Sequence, residues 1–284
     1  MKCQLIALDL DGTLLSSRHE ITPRTREALR AARERGIVTA IATGRSPHSA
    51  GHFSRQIGGG PIICCNGAAV IDADGSYAAT KPIPAAPLRR SLEICGEAGL
   101  LLECYTQQGI FMDRPLAHMA AYLRWVRPGM GLLRAAGSVA GIWRTNRFTP
   151  VRSLVTWSER RDRPPVLKIM VVGEAEALAA AAERTQREAP GLAVTSSGRE
   201  NIEIMAAGVS KGYGLQMLAA RLKIPRESIL AFGDSANDVE MLAYAGTGVA
   251  MGNAAPEIKA GAARVAPTCD EDGVASVIEE MCLT

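Results

Sequence analysis

The sequence of 284 residues has no apolar run near the roughly 20 residues that cross a bilayer. Its start, MKCQLIALDLDG, carries one lysine and then six uncharged residues before the first acid. It lacks the long apolar region and small-residue cleavage site of a signal peptide. We therefore expect a soluble, cytoplasmic protein without a membrane partner.

Aromatic residues are scarce, at 4 %, and the formal net charge is only +3. Few aromatic side chains are present for bases to stack on, and the net positive charge is small, so we do not expect a nucleic-acid partner. The charge is unevenly placed, because residues 114–163 contain ten arginines, no lysine and only two acids. That segment suits an anionic small ligand, a nucleic-acid backbone or a solvated surface.

None of the seven cysteines forms a CxxC pair, and Cys64 and Cys65 lie in the apolar run PIICC, which indicates buried, reduced thiols. His48 and His52 have helical spacing but no neighbouring carboxylate, which disfavours a metal pair. The 47 % hydrophobic and 21 % charged residues exclude a disordered chain, and the length predicts about two domains.

Strand and helix patterns alternate at both ends of the chain. The segments QLIALDL, IVTAIA and PIICC have the composition of buried strands. Between them, TPRTREALRAARERG predicts a helix with Thr22 as N-cap, Pro23 at its first position and Gly36 at its C-terminal end, and a second helix is expected from about Pro47 to Ile57. The same alternation returns from SKGYGLQMLAARLK to DGVASVIEEM, so we predict an α/β fold with a doubly wound, Rossmann-like parallel sheet.

The middle of the chain has a different pattern. KPIPAAP predicts a linker, and a helix is expected from about Leu88 to Ala98, before the strands LLLECY and GIFM. A helix over EAEALAAAAERTQREA then precedes the strands LAVTSS and NIEIM. This repeated helix-strand-strand order predicts an inserted α+β domain with an antiparallel sheet over 83–207, between core segments 1–82 and 208–284. Residues 124–165 are not assigned.

Four polar residues follow predicted strands: Asp9, Thr43, Asn66 and Asp234. In open parallel sheets, ligands bind beyond the carboxyl ends of the strands. We therefore expect these four side chains to converge on one crevice.

Two acidic segments stand at these strand ends. Asp9 and Asp11 are two residues apart, so strand alternation predicts that both carboxylates point the same way. Asp234 and Asp238 add two more carboxylates at another strand end. Close carboxylates with hard oxygen ligands favour Mg²⁺. An Asp-Gly turn and a helix cap are the alternative interpretations of the two segments.

Two further segments suit a phosphate. Thr43, Gly44 and Arg45 combine a hydroxyl, a residue that permits close backbone approach and the start of a helix. Lys211, in GVSKGYG, stands at the positive end of a helix, where a bound anion would explain it. A helix cap and an exposed lysine are the alternatives. The run is not a Walker motif, because GxxxxGK[ST] is absent.

Taken in order, DLDGTLL, ATGR, VSKG and GDSAND resemble the four motifs of the haloacid dehalogenase superfamily of aspartate-nucleophile phosphatases. CNGA and AMGNA further resemble the Cof-like hydrolases with a type-two, subclass B cap. The spacing agrees with that cap type: 34 residues separate Asp9 from Thr43, whereas 168 separate Thr43 from Lys211. The inserted domain must lie in the longer interval.

The resemblance implies a Mg²⁺-dependent phosphatase acting on small phosphomonoesters such as sugar phosphates, nucleotides or phosphorylated cofactors. Asp9 would be the nucleophile that forms an aspartyl phosphate, and Asp11 the general acid and then the base. Mg²⁺ would be held by Asp9, the Asp11 carbonyl and Asp234, with Asp238 in support.

The resemblance also implies a set of residues around the phosphate and the substrate. Those expected to hold the phosphate are Thr43, Gly44 and Lys211, with Asn237 nearby, while Arg45 and Asn66 are candidates for contact with substrate. Since the cap reads the leaving group in relatives, one or more of the arginines in 114–163 is hypothesised to contact a second anionic group. A monomer or homodimer with a small phosphorylated metabolite as its partner is expected.

Three alternatives stay open at this point. A phosphomutase or phosphotransferase would use the same covalent intermediate to rephosphorylate a substrate. A signalling protein with a long-lived aspartyl phosphate would resemble receiver domains, which are much shorter than this chain. A non-catalytic protein that binds a phosphorylated ligand is the third.

Overall fold

The structure is a computed structural model that describes residues 3–125, 141–198 and 200–284. These residues divide into two compact units. The first unit takes the chain up to Arg45, Ala50–Thr80 and Gly208–Thr284, and the second takes Ser46–Ser49 and Lys81–Ala207. The second unit thus begins two residues before the boundary expected at 83.

The described strands, in chain order, are β1 Leu5–Leu8, β2 Val38–Ala42, β3 Ile62–Cys64, β4 Ala69–Ile71, β5 Tyr77–Thr80, β6 Leu101–Thr106, β7 Ile110–Met112, β8 Phe148–Pro150, β9 Val166–Val172, β10 Leu192–Gly198, β11 Asn201–Ala206, β12 Ile229–Gly233, β13 Thr247–Ala250 and β14 Arg264–Val265. The described helices are α1 Pro23–Glu34, α2 Pro47–Gln56, α3 Ala85–Glu97, α4 Pro115–Trp125, α5 at 141–146, α6 Leu154–Ser158, α7 Ala175–Glu188, α8 Lys211–Leu222, α9 Val239–Tyr244, α10 Pro256–Gly261 and α11 Gly273–Cys282.

The first unit is built on an eight-stranded sheet in the order β14-β13-β12-β1-β2-β3-β4-β5. The strands from β14 to β3 are parallel neighbours, and β4 and β5 extend the edge in antiparallel fashion. The predicted Rossmann-like α/β fold is confirmed. The β4-β5 extension was not predicted, because each strand is only three or four residues long.

Strand β1 lies in the middle of this sheet and is buried on both faces. Ile6 and Leu8 pack on the face that α1 and α11 cover, whereas Leu5 and Ala7 pack on the face that α8 and α9 cover. Because apolar side chains are buried on both faces, the parallel strands appear in the sequence as continuous hydrophobic runs.

Helix α1 shows how closely local sequence predicts local structure. The Thr22 hydroxyl accepts a hydrogen bond from the backbone N–H of Thr25 at 3.2 Å, and Pro23 is the first helical residue. Gly36 lies just beyond the helix with φ of +81°, a left-handed conformation that glycine adopts without steric cost. The predicted cap, first residue and terminator are all present.

The second unit has a six-stranded sheet in the order β10-β11-β9-β6-β7-β8. It is antiparallel except for the parallel pair β7 and β8. Helices α3, α6 and α7 cover one face of it with an apolar core. The central strand β9 was not predicted, because it directly follows the irregular segment 124–165, of which residues 126–140 lie outside the described part.

Helix α3 starts earlier than the sequence indicated. It begins at Ala85, inside the segment expected to be a linker, rather than near Leu88. Pro84 is the capping residue, and Pro87 lies in the first turn, where a missing N–H interrupts no helical hydrogen bond. Proline therefore marked a helix start here and not a linker.

All seven cysteines are free thiols, and Cys64 and Cys65 are buried. No helix within the described residues combines the length and the apolar character needed to cross a membrane.

The other face of the second sheet carries a buried ion pair. The Nζ of Lys168, on β9, lies 2.6 Å from Oε1 of Glu203, on β11, and both side chains are at most 3 % exposed. The same ammonium lies 4.6 Å from the centre of the Tyr105 ring. Burying two charges is costly unless they are paired, so each side chain depends on the other.

We predict that Lys168→Met lowers the free energy of unfolding by about 3–5 kcal/mol, because it leaves the Glu203 charge buried without its ammonium partner. The double variant Lys168→Met with Glu203→Leu should be more stable than this single variant. All three tryptophans lie within residues 81–207, so urea unfolding followed by tryptophan fluorescence measures this unit. A single variant that is more stable than the double variant would contradict the prediction.

Candidate active site

The predicted polar residues lie together at the carboxyl ends of neighbouring strands. Asp9 follows β1 and Asp234 follows β12, and the N–H of Asp9 donates to the carbonyl of Phe232 at 3.1 Å. Thr43 follows β2, and its carbonyl accepts from the N–H of Asn66 at 3.0 Å. The parallel order β12-β1-β2-β3 therefore brings these loops to one edge of the sheet.

Lys211 joins two of the predicted acids. Its Nζ lies 2.6 Å from Oδ1 of Asp9 and 2.7 Å from Oδ1 of Asp238, and all three side chains are almost completely buried. Lys211 is the first residue of α8, whose N-cap is Ser210. Burial lowers the pKa of Lys211, but the charges of Asp238 and Asp9 outweigh it and hold this pKa above its ordinary value.

Asp9 lies in a site with more negative than positive charge. Burial raises the pKa of Asp9 well above its ordinary value, and the attraction of Lys211 offsets this only in part. Burial and the neighbouring charge of Asp238 also raise the pKa of Asp234 to about 6. Burial is the main cause of both shifts, and the nearby charge of Asp238 adds to each of them.

Asp234 is held by the loop that follows β1. The Thr13 hydroxyl donates to Oδ1 of Asp234 at 3.2 Å. Gly12 has φ of +79°, and a Cβ at this position would lie 2.3 Å from Oδ2 of Asp234. Only glycine leaves room for the carboxylate, which explains the Asp-Gly pair in chemical terms.

Asp238 supports the other residues. Its Oδ2 accepts from the backbone N–H groups of Asp234 and Ser235, each at 3.0 Å, while its Oδ1 accepts from Lys211. Ser235 and Asp238 form a capping box for the short turn Ala236–Asp238. Because both oxygens already accept hydrogen bonds, Asp238 fixes the loop and the lysine.

The donor set fits a divalent cation. Oxygen atoms of Asp9, Asp234 and Asp238 lie within 4.8 Å of one another. Three carboxylates with one ammonium leave a net negative charge at this edge, and carboxylate oxygens are the ligands that Mg²⁺ prefers.

Asp11 is placed differently from Asp9. Strand β1 ends at Leu8, so strand alternation does not extend to these acids. The Asp11 carboxylate instead receives two hydrogen bonds from Arg45, Nε to Oδ2 at 2.8 Å and Nη2 to Oδ1 at 2.5 Å. Burial alone raises the pKa of Asp11, but Arg45 outweighs it and holds this pKa below its ordinary value.

Thr43 and Asn237 lie in the turns that follow their strands. The Thr43 hydroxyl accepts from the N–H of Arg45 at 3.1 Å, across Gly44, and Thr43 is 1 % exposed. Asn237 Nδ2 donates to Oδ1 of Asn66 at 3.2 Å. Asn66 adopts a left-handed φ of 55°, which asparagine tolerates better than most residues.

Two residues were not assigned roles from the sequence. Thr13 and Asn253 both contact Asp234, and Asn253 also donates to the Gly12 carbonyl at 2.8 Å. Both lie inside segments that carry the family resemblance, DLDGTLL and AMGNA. Their contacts with Asp234 span 221 and 19 residues, so the local sequence does not reveal them.

Comparisons with known proteins agree with this geometry. The model of the haloacid dehalogenase-like hydrolase family matches residues 6–278. The chain is 30 % identical to the phosphatase YwpJ of Bacillus subtilis, covering 98 % of this chain and 99 % of that protein. It is also 30 % identical to the pyridoxal phosphate phosphatase YbhA of Escherichia coli, over 98 % of both chains.

A solved structure shows the same architecture. A haloacid dehalogenase-like hydrolase from B. subtilis matches with a TM-score of 0.85 and 31 % identity, over 98 % of this chain and 99 % of that one. The family resemblance seen in the motifs is confirmed. The chain belongs to the haloacid dehalogenase-like hydrolases, and it is an enzyme of the phosphatase type within them.

Proposed function

We propose that the protein is a Mg²⁺-dependent phosphatase that hydrolyses small phosphomonoesters through an aspartyl phosphate on Asp9. The observation that carries the proposal is the buried Asp9 carboxylate, which is paired with Lys211 and lies beside the acids of the Asp234 loop. The charge of Lys211 and of a bound cation would neutralise the phosphoryl group, so that one carboxylate oxygen can attack it.

Asp9 has two oxygens with different tasks. Lys211 holds Oδ1, so Oδ2 is the oxygen that forms the bond to phosphorus while the bond to the leaving alcohol breaks. A water molecule then attacks the phosphorus, the bond to Oδ2 breaks and inorganic phosphate leaves. The fixed orientation of Asp9 lowers the entropic cost of the first step.

Asp11 transfers the protons. It gives a proton to the leaving alkoxide and takes one from the attacking water. The hydrogen bonds from Arg45 favour the ionised carboxylate, which is the form that acts as base. Arg45 therefore has to release Asp11 before the carboxyl group can carry the proton for the leaving alcohol.

The remaining polar residues hold the phosphate. Lys211 supplies positive charge, and the Thr43 hydroxyl and the Asn237 amide supply hydrogen-bond donors near the same strand ends, with Gly44 permitting close approach. Asn66 and Arg45 remain candidates for contact with the rest of the substrate.

We assign the metal site to Asp9, the Asp11 carbonyl and Asp234, with Asp238 holding the Asp234 loop in place. Bound Mg²⁺ would supply positive charge to the phosphoryl oxygens. The nearby carboxylate oxygens of Asp9 and Asp234 support this assignment, because hard oxygen ligands are the ones that Mg²⁺ prefers.

The substrate class is proposed as sugar phosphates, nucleotides or phosphorylated cofactors. One relative is named for pyridoxal phosphate, and another is named as a phosphatase of 5-amino-6-(5-phospho-D-ribitylamino)uracil. Both names denote small phosphorylated metabolites. A cytoplasmic location and a monomeric or homodimeric state stay predictions from the sequence.

We predict that Asp9→Asn lowers kcat by about 10⁴-fold or more, because the amide is not a nucleophile. The measurement is phosphate release from a panel of phosphorylated metabolites with Mg²⁺, with radiolabelled substrate to detect the covalent intermediate. Asp74→Asn, in an exposed turn of the same unit, is the matched control.

Each result has a distinct meaning. Turnover of Asp9→Asn at the rate of the control would contradict the nucleophile assignment. Slow release of a trapped label would indicate a signalling protein, and transfer of label to a second hydroxyl would indicate a phosphomutase.

Removal of metal with a chelator should abolish turnover, and Mg²⁺ should restore it. Asp234→Asn should raise the Mg²⁺ concentration for half-maximal activity by more than about tenfold, since even residues that only support metal ligands have effects of that size. Full activity of the chelated protein would show that no cation is needed.

The structure reduces the number of arginines in 114–163 that are candidates for contact with a second anionic group of the substrate. Arg114 donates to the carbonyls of Gly99 and Leu100, and Arg163 donates to the carbonyl of Ser158, so both are held within the second unit. Arg160 pairs with Asp162. Arg127 and Arg134, together with the side chain of Arg124, lie outside the described part of the chain. The described candidates that remain are Arg144, Arg147, Arg152 and Arg161.

We expect at least one alanine variant at these four arginines to raise KM for a sugar bisphosphate more than KM for the corresponding monophosphate. The reason is that a second anionic group would lose its charged partner. Steady-state kinetics on both substrates test this. Equal changes in the two KM values for every variant would exclude a contact from these four arginines.

A further inference from the structure

Asn253 lies in the loop that follows β13, between the two loops that carry the acids. Its Nδ2 donates to the carbonyl of Gly12 at 2.8 Å and lies 3.5 Å from Oδ2 of Asp234. Its Oδ1 accepts from the backbone N–H of Cys269 at 3.0 Å. One side chain therefore connects three separate segments of the first unit.

The direction of the Asn253 amide follows from its partners. The N–H of Cys269 is a donor, so it requires the carbonyl oxygen of the amide. The NH₂ group then faces the Gly12 carbonyl and the Asp234 carboxylate, which are both acceptors. The opposite orientation of the amide would place its NH₂ group against the N–H of Cys269 and its oxygen against the two acceptors, so all three hydrogen bonds would be lost.

The loop that carries Asn253 is itself held by backbone contacts. The N–H of Met251 donates to the carbonyl of Gly233 at 3.0 Å, and the N–H of Gly252 donates to the carbonyl of Pro267 at 3.2 Å. A Cβ at Gly252 would lie 2.9 Å from the backbone N of Thr268, so the chain passes too close for any larger residue. Asn253 thus projects from a fixed backbone.

These contacts link the Asn253 amide to both sides of the proposed metal site. Gly12 directly follows Asp11, whose carbonyl is assigned to the cation, and Asp234 supplies a carboxylate from the opposite loop. A cation that contacts both loops requires a defined separation between them. A donor placed between the two loops sets that separation.

We propose that Asn253 is a positioning residue that holds the Gly12 loop and the Asp234 carboxylate at the spacing needed for divalent-cation binding. The inference rests on the proposed metal site. Asn253 itself is not a metal ligand, because its amide nitrogen faces the site.

The test is Mn²⁺ binding to metal-free protein, measured by electron paramagnetic resonance on wild type and Asn253→Ala. The variant should raise the Kd for Mn²⁺ about tenfold or more. It should also raise the Mg²⁺ concentration for half-maximal activity while kcat at saturating Mg²⁺ stays close to wild type. The thermal midpoint of the metal-free variant reports any general loss of structure.

Thr268→Ala is the matched control. Thr268 caps the turn that begins at Cys269. Its hydroxyl donates to Oε2 of Glu271 at 2.8 Å, and its backbone N–H donates to the same oxygen at 3.1 Å. This variant loosens the segment that Asn253 contacts but leaves the amide contacts to Gly12 and Asp234 in place. Its Kd for Mn²⁺ should equal that of wild type.

Two results overturn the inference: a wild-type Kd in Asn253→Ala, or an equal rise in Kd in Thr268→Ala. Failure of the proposed metal site gives a different result, in which wild type itself binds no Mn²⁺. The two failures are therefore distinguishable in one series of measurements.

Discussion

The catalytic edge depends on a single ammonium shared between two buried carboxylates. Lys211 reaches Asp9 at the end of β1 and Asp238 in the loop after β12, so it joins α8 to two neighbouring strand ends. One lysine cannot neutralise the acids gathered there, and burial, together with the charge of Asp238, raises the pKa of Asp9 and the pKa of Asp234. The remaining negative charge makes the edge suitable for a divalent cation, and the cation in turn makes it suitable for a phosphate.

The two units bury charge in different ways. In the second unit, the buried Lys168 ammonium and the buried Glu203 carboxylate lie 2.6 Å apart, so their charges offset each other. In the first unit the charges do not cancel, because three acids lie close to one lysine. Two opposite charges offset each other, whereas three acids beside one lysine leave negative charge that a cation would offset. This unbalanced negative charge supports the proposal that the strand ends form the active site.

Much of the fold could be predicted because its elements have strong local signals. The parallel strands are continuous apolar runs, and α1 has a threonine cap, a proline start and a glycine end. Short or irregular elements were missed. The β4-β5 extension has too few residues for a clear pattern, and β9 follows an arginine-rich segment with no recognisable periodicity. Pairing with neighbouring strands stabilises these elements, and such pairing cannot be read from a local pattern.

The sequence by itself determined which residues are candidates for the site, since Asp9, Thr43, Lys211 and Asp234 all follow or precede elements whose ends are predictable. Tertiary structure alone decided which of these side chains contact one another. It turned the Asp11 carboxylate to Arg45, 34 positions away, and placed the Asn253 amide against the Gly12 loop across most of the chain. Hydrogen bonds between distant segments depend on the positions of whole loops, and those positions are set by the packing of the sheet and not by nearby residues.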